Sequence, residues 1–118
     1  MTDTESLRAQ AWKCHEQGKL STAEGIYRKL LKEEGAAADA LNLGALLRSL
    51  GRFSEATAHY QTWIKAHPKE LTLRLNAVNC LLEAGNTELA NTWIQEGLRL
   101  DPEQTDLLQC LARYLMGS

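Results

Sequence analysis

Along the middle of the chain, apolar and small residues alternate with polar ones at the period of a helix. Ala40, Leu43, Gly44 and Leu47 fall at i, i+3, i+4 and i+7, the stripe of an amphipathic helix that closes near Gly51. Gly51 can supply the left-handed turn that ends a helix, where a side chain would be strained. Ser54 is placed to cap a second helix, whose apolar positions Ala56, Tyr60, Trp63 and Ile64 carry it to about Ala66. Pro68 then bars further helix and shapes the step to the next unit. Upstream, Ser21 and Glu24 have the spacing of a capping box ahead of Ile26, Tyr27, Leu30 and Leu31, and Gly35 stands where a proline would end that helix. Downstream, the pattern predicts helices over about 71–84 and 88–100 around Gly85, closed by Asp101-Pro102, and a last helix from about Thr105.

These elements repeat. Gly18, Gly51 and Gly85 are 33 and 34 residues apart, and Ala23, Ala56 and Ala90 each follow five residues later. Ala11, Gly44, Val78 and Ala112 recur at 33, 34 and 34, and Pro68 and Pro102 are again 34 apart. A period of this length marks helical hairpins that stack to bury faces no single hairpin can bury. Small residues at Ala11, Gly44, Ala23, Ala56 and Ala90 let paired helices approach closely. The expected fold is all-α: a right-handed α-solenoid of three hairpins with a C-terminal capping helix, seven helices in one domain over 1–118. The units span about 4–36, 37–70 and 71–104, with the closing helix over 105–116.

The landmark residues resemble the tetratricopeptide repeat family, with its pattern W-x2-L-G-x2-Y…A-x3-F…P. The middle unit carries the resemblance through Leu43, Gly44, Ala56, Tyr60 and Pro68. The third keeps Ala90 and Pro102 but has Val78 and Ile94, and the first keeps Ala23 and Tyr27 without the Leu-Gly pair. The resemblance covers roughly residues 4–116. Trp63 departs from it, replacing a small residue late in the second helix, while Gly97 stands at the equivalent point one unit later. Trp93 is expected on the outer surface or partly packed.

In such a stack the first helix of each pair lines an inner groove, so equivalent residues form ladders. One ladder runs Arg8, Leu41, Leu75, Gln109, and the next Ala9, Asn42, Asn76, Cys110. Trp12, Ala45, Asn79 and Arg113 form a third, and His15, Arg48, Leu82 and Met116 close the rim. Asn42 and Asn76 each present a donor and an acceptor that can pair with a peptide backbone whatever its side chains. Leu41, Leu75 and Trp12 suit apolar side chains, and Arg8, Arg48 and Arg113 suit carboxylates. The asparagine pair resembles the ladder lining the repeat domain of O-linked N-acetylglucosamine transferases, broken here by Ala9 and Cys110. The carboxylate clamp of chaperone-binding repeats fits poorly: its positions would be Arg8, Trp12, Asn42, Thr72 and Asn76, and only Asn42 matches.

Composition narrows the function. The chain has 118 residues, 44% hydrophobic and 24% charged, with a net charge of −2, which is globular usage without a polyanion-binding footprint. Nucleic acid is not an expected partner. No apolar stretch approaches the ~20 residues that span a bilayer, and the N-terminus lacks a secretion signal, so no membrane partner and a cytoplasmic location are expected. Cys14, Cys80 and Cys110 fall within apolar-periodic segments and read as buried small hydrophobes, with no metal-ligand spacing among them. His15, His59 and His67 read as surface histidines, and Glu33-Glu34 as a solvated helix end. With no catalytic motif, no cofactor is expected and the chain reads as a non-catalytic scaffold for a protein or peptide. The alternative is an N-terminal accessory domain of a larger bacterial glycosyltransferase or sulfotransferase. The closing helix places Leu108, Leu111, Ala112 and Leu115 on the repeat's packing positions, and Leu107, Tyr114 and Met116 widen its stripe. That edge is expected to meet another helix, a partner or a second copy.

Overall fold

A computed structural model of the chain describes residues 3–117. They form seven helices: α1 (Asp3–Glu16), α2 (Leu20–Glu33), α3 (Ala37–Ser49), α4 (Phe53–Ala66), α5 (Leu71–Glu83), α6 (Thr87–Leu100) and α7 (Thr105–Gly117). No strand occurs among the described residues. Each helix packs on the next, and α5 also packs on both α3 and α7. The first helices of successive pairs thus lie side by side on the inner face, and α2, α4 and α6 form the outer one. The stack measures 43 × 26 × 20 Å.

The glycine landmarks are turns. Gly18, Gly51 and Gly85 have φ of 78°, 75° and 83°. Around each, the residue after the glycine bonds back five positions: Lys19 N to Cys14 O at 2.8 Å, Arg52 N to Leu47 O at 2.9 Å, Asn86 N to Leu81 O at 2.9 Å. These are Schellman closures. The chain leaves them directly into the next helix, and this overturns the expected caps. Lys19 and Arg52 occupy the cap positions of α2 and α4, and neither helix has a side-chain cap. Ser21 and Ser54 therefore lie inside the first turn, and Glu24 reaches for arginines instead.

Helix spacing is set by a few small residues. A Cβ on Gly44 would lie 2.3 Å from Cζ of Tyr60, so the Tyr60 ring rests on the α3 backbone. Ala11, Ala23, Ala40, Ala56, Ala77 and Ala90 are fully buried at the other close approaches. Trp63 and Gly97 hold one register position and meet different neighbours: a Cβ on Gly35 would meet the Trp63 ring at 3.5 Å, whereas Gly97 faces Arg74. A Cβ on Gly97 would meet Cδ of Arg74 at 2.7 Å and Cδ1 of Leu107 at 2.6 Å. Close packing leaves no room for both members to be large. Trp93, expected on the outer surface or partly packed, is buried, and its carbonyl accepts from Arg74 Nη1 at 3.3 Å.

The closing helix also corrects one expectation. Leu107 is fully buried against Gly97, and Cys110 is buried beside Asn79. Leu107 and Tyr114 are thus inward-facing, and the outer edge consists of Leu108, Ala112, Leu115 and Met116.

Candidate peptide-binding groove

The inner face is held together by polar bridges between successive first helices. Arg8 on α1 donates from Nε to Asp39 Oδ1 at 2.8 Å and from Nη2 to Oδ2 at 2.7 Å, with Glu34 at 3.3 Å. Asp39 has no exposed side-chain surface. The Asp39 hydrogen bond raises the Arg8 pKa above that of a free guanidinium, so the arginine stays charged. Arg48 on α3 pairs with Glu83 on α5. Arg113 on α7 donates to Asn79 Oδ1 at 3.0 Å, and the Cys110 thiol lies 3.6 Å from the same oxygen. The outer face has its own network: Arg52 Nη1 bonds Glu24 at 2.6 Å and Nη2 bonds Glu55 at 2.6 Å, which lowers both glutamate pKa values.

The residues expected in the groove therefore divide into two sets. Arg8 with Asp39, Arg48 with Glu83 and Arg113 with Asn79 Oδ1 are paired across the stack, so these groups are engaged within the chain. Trp12 is 52% exposed; Leu41, Asn42, Ala45, Leu75 and Asn76 are half-buried, and Gln109 is exposed. Asn76 donates Nδ2 to Thr72 O at 2.9 Å, leaving its oxygen as acceptor. At the α7 end, Leu82, Thr87, Arg113 and Tyr114 line a cleft of about 200 Å³.

Two structural roles are not visible in the sequence pattern alone. Asp39 stands in register with Leu73 and Leu107, both buried, so a carboxylate at an apolar repeat position was its signal. Arg74, in register with Ala40 and Leu108, is 4% exposed and pairs with Glu96 at 3.2 Å.

His15, His59 and His67 are part-buried rather than fully exposed, and two of them have partners within the fold. His59 is half-buried with Nε2 2.7 Å from Ala40 O, and His67 has Nε2 3.3 Å from Gly35 O while stacking on Trp63. A carbonyl only accepts, so both Nε2 atoms carry the proton. Burial lowers the His59 pKa from its ordinary 6.5, and Arg28 adds to the effect. The folded state then binds fewer protons than the unfolded one, so stability should fall as pH drops below about 6.5. Chemical denaturation at pH 7.5 and 5.5 should show this loss in the wild type and a smaller one in His59→Gln. Cys80 and Cys110 are buried, as expected, with thiol pKa values raised by desolvation. Among the described residues no three His, Cys, Asp or Glu converge as metal ligands, and no helix is long and apolar enough to cross a membrane.

Stacked helical hairpins with glycine turns, small residues at the crossings and a continuous inner face define a helical-repeat solenoid. Residues 47–114 match one description of the tetratricopeptide repeat and residues 15–69 match a second; the chain belongs to the tetratricopeptide repeat family. Among curated proteins none matches the sequence. A tetratricopeptide repeat protein from Parabacteroides merdae superposes with a TM-score of 0.82 at 26% identity, over 97% of this chain and 46% of that one. The chain thus spans about half the length of that relative. The first repeat domain of Spaghetti (RPAP3), bound to the HSP90 peptide SRMEEVD, gives 0.79 at 16% identity, covering 97% and 91%. The Yersinia enterocolitica type III secretion chaperone SycD, in complex with a peptide of the translocator YopD, gives 0.76 at 22%, covering 98% and 90%.

Proposed function

We propose that the chain is a protein-interaction scaffold that holds an extended segment of another polypeptide along the face of α1, α3, α5 and α7. The observation that carries this reading is the pair Asn42 and Asn76, one repeat apart on that face and flanked by Leu41 and Leu75. Amides at one-repeat spacing hold a peptide backbone, and the leucines and Trp12 take apolar side chains. Ala45 keeps the floor low between the rungs, and Gln109 extends the polar row onto α7. Arg8, bound to Asp39, Arg48, bound to Glu83, and the Asn79–Arg113 pair fix the separation of the helices rather than supply charge to the ligand. Two structural neighbours with peptides support the reading.

Peptides selected from a random display library on the immobilised chain provide the probe. The double variant Asn42→Ala/Asn76→Ala should bind them more weakly, by about 1 kcal/mol per hydrogen bond lost, with little change in melting temperature. Chemical-shift changes confined to α2, α4 and α6 on adding such a peptide would end the groove assignment.

A further inference from the structure

Trp12 stands on the inner face in the register of Ala45 and Asn79 and is 52% exposed. His15 makes an edge contact with it, 5.8 Å between ring centroids, and among the described residues no other ring or cation touches the indole. The charges around it do not balance. Arg8 lies one turn before Trp12 on α1 and Glu16 one turn after it, so all three share a face. Arg8 is drawn across to Asp39 at 2.7 Å and Glu34 at 3.3 Å, and one cation against two carboxylates leaves that cluster negative. The Glu34 side chain is still 45% exposed. Glu16 is exposed and in no ion pair among the described residues. Lys13, next to Trp12 in sequence, holds the register of the buried Leu46 and Cys80 and so stands off the inner face. The α1 end of the groove is thus an open indole with surplus negative charge on either side.

We propose that the segment held in the groove carries a lysine or arginine that lies across Trp12, with its charge toward Glu16 and Glu34. The proposal rests on the groove reading and names the ligand chemistry at one end of it. A basic side chain meets both features of the site. Its methylene stem supplies the apolar contact that the indole takes, and its cationic head is attracted by the ring face and by the carboxylates. An acidic side chain is repelled there even though Arg8 is basic, because two carboxylates already outweigh the guanidinium. An aliphatic side chain uses the indole but not the charge. Ala45 and Asn79 offer no ring at the later positions of the ladder, so the site is confined to α1.

The probes are peptides selected from a random display library on the immobilised chain. Their aligned sequences should contain one position occupied by lysine or arginine. In the leading peptide, norleucine in place of that basic residue keeps an aliphatic stem and removes the charge. This should weaken binding about tenfold in isothermal titration at low salt, and the loss should shrink as salt rises. Trp12→Leu and Glu16→Gln should retain the wild-type circular dichroism, since both positions are exposed. Against Trp12→Leu/Glu16→Gln the basic and norleucine peptides should bind alike. A selected pool without a basic position, or equal affinities of the two peptides for the wild type, would overturn the proposal. The groove reading would survive that result if Asn42→Ala/Asn76→Ala still weakened both peptides. Peptides insensitive to both asparagines, with chemical-shift changes outside the inner face, would remove the groove reading and the proposal together.

Discussion

Replacing Arg8 with methionine should lower the unfolding free energy by about 3 kcal/mol in urea denaturation. The Arg8 side chain is 34% exposed, but its partner Asp39 is fully enclosed, so removing Arg8 strands a carboxylate without its cation. Asp39→Leu alone should cost less, because Arg8 keeps solvent access and Glu34 at 3.3 Å. The informative variant is the double one. Leu73 and Leu107 occupy the Asp39 position in later units and are buried, so the fold accepts leucine there. Arg8→Met/Asp39→Leu should therefore return to within about 1 kcal/mol of wild type, since a well-packed apolar pair replaces an ion pair at little cost. A double variant as unstable as Arg8→Met would mean that the effect does not arise from the stranded carboxylate.

Gly44→Ala should destabilise by about 2 kcal/mol, although the same change on an exposed helix stabilises by roughly 1 kcal/mol. The new methyl would lie 2.3 to 2.6 Å from three atoms of Tyr60, whose ring is completely buried and cannot swing away. Gly25, exposed in α2 with nothing within 4 Å of its potential Cβ, is the internal control. Gly25→Ala should raise stability by about 0.5–1 kcal/mol. Opposite signs at two mid-helix glycines, measured in one denaturation series, would isolate the packing contribution. Equal signs would remove Tyr60 as the determinant of the α3–α4 distance.

Periodicity made the architecture legible, because each landmark is a local requirement. Gly18, Gly51 and Gly85 have to supply positive φ, and Ala56 and Ala90 have to be small wherever a helix crosses, so the sequence repeats them. Ser21 and Ser54 depart from their expected cap positions for a local reason as well. A hydroxyl ahead of apolar periodicity looks like a cap, but the Schellman closure consumes only two residues and starts the helix earlier. The candidate groove was legible to the level of which residues share a face: Leu41, Asn42, Leu75 and Asn76 follow from register alone.

What a face does with its charges was not legible. Arg8, Arg48 and Arg113 read as available cations because spacing along one helix says nothing of the distance to the next. Only the stack brings Asp39 within 2.7 Å of Arg8 and sets Asn79 3.0 Å from Arg113. Likewise a helical stripe on α7 gives the apolar positions but not which half is covered; packing on α6 buried Leu107 and left Leu115 outside. The sequence by itself determined the helices, their turns and their order, since those depend on backbone conformation and residue size at each position. The pairing of charges, the burial of Trp93 and Arg74, and the open stripe on α7 were decided by tertiary structure, because they depend on separations between residues about 20–35 positions apart that no single helix sets.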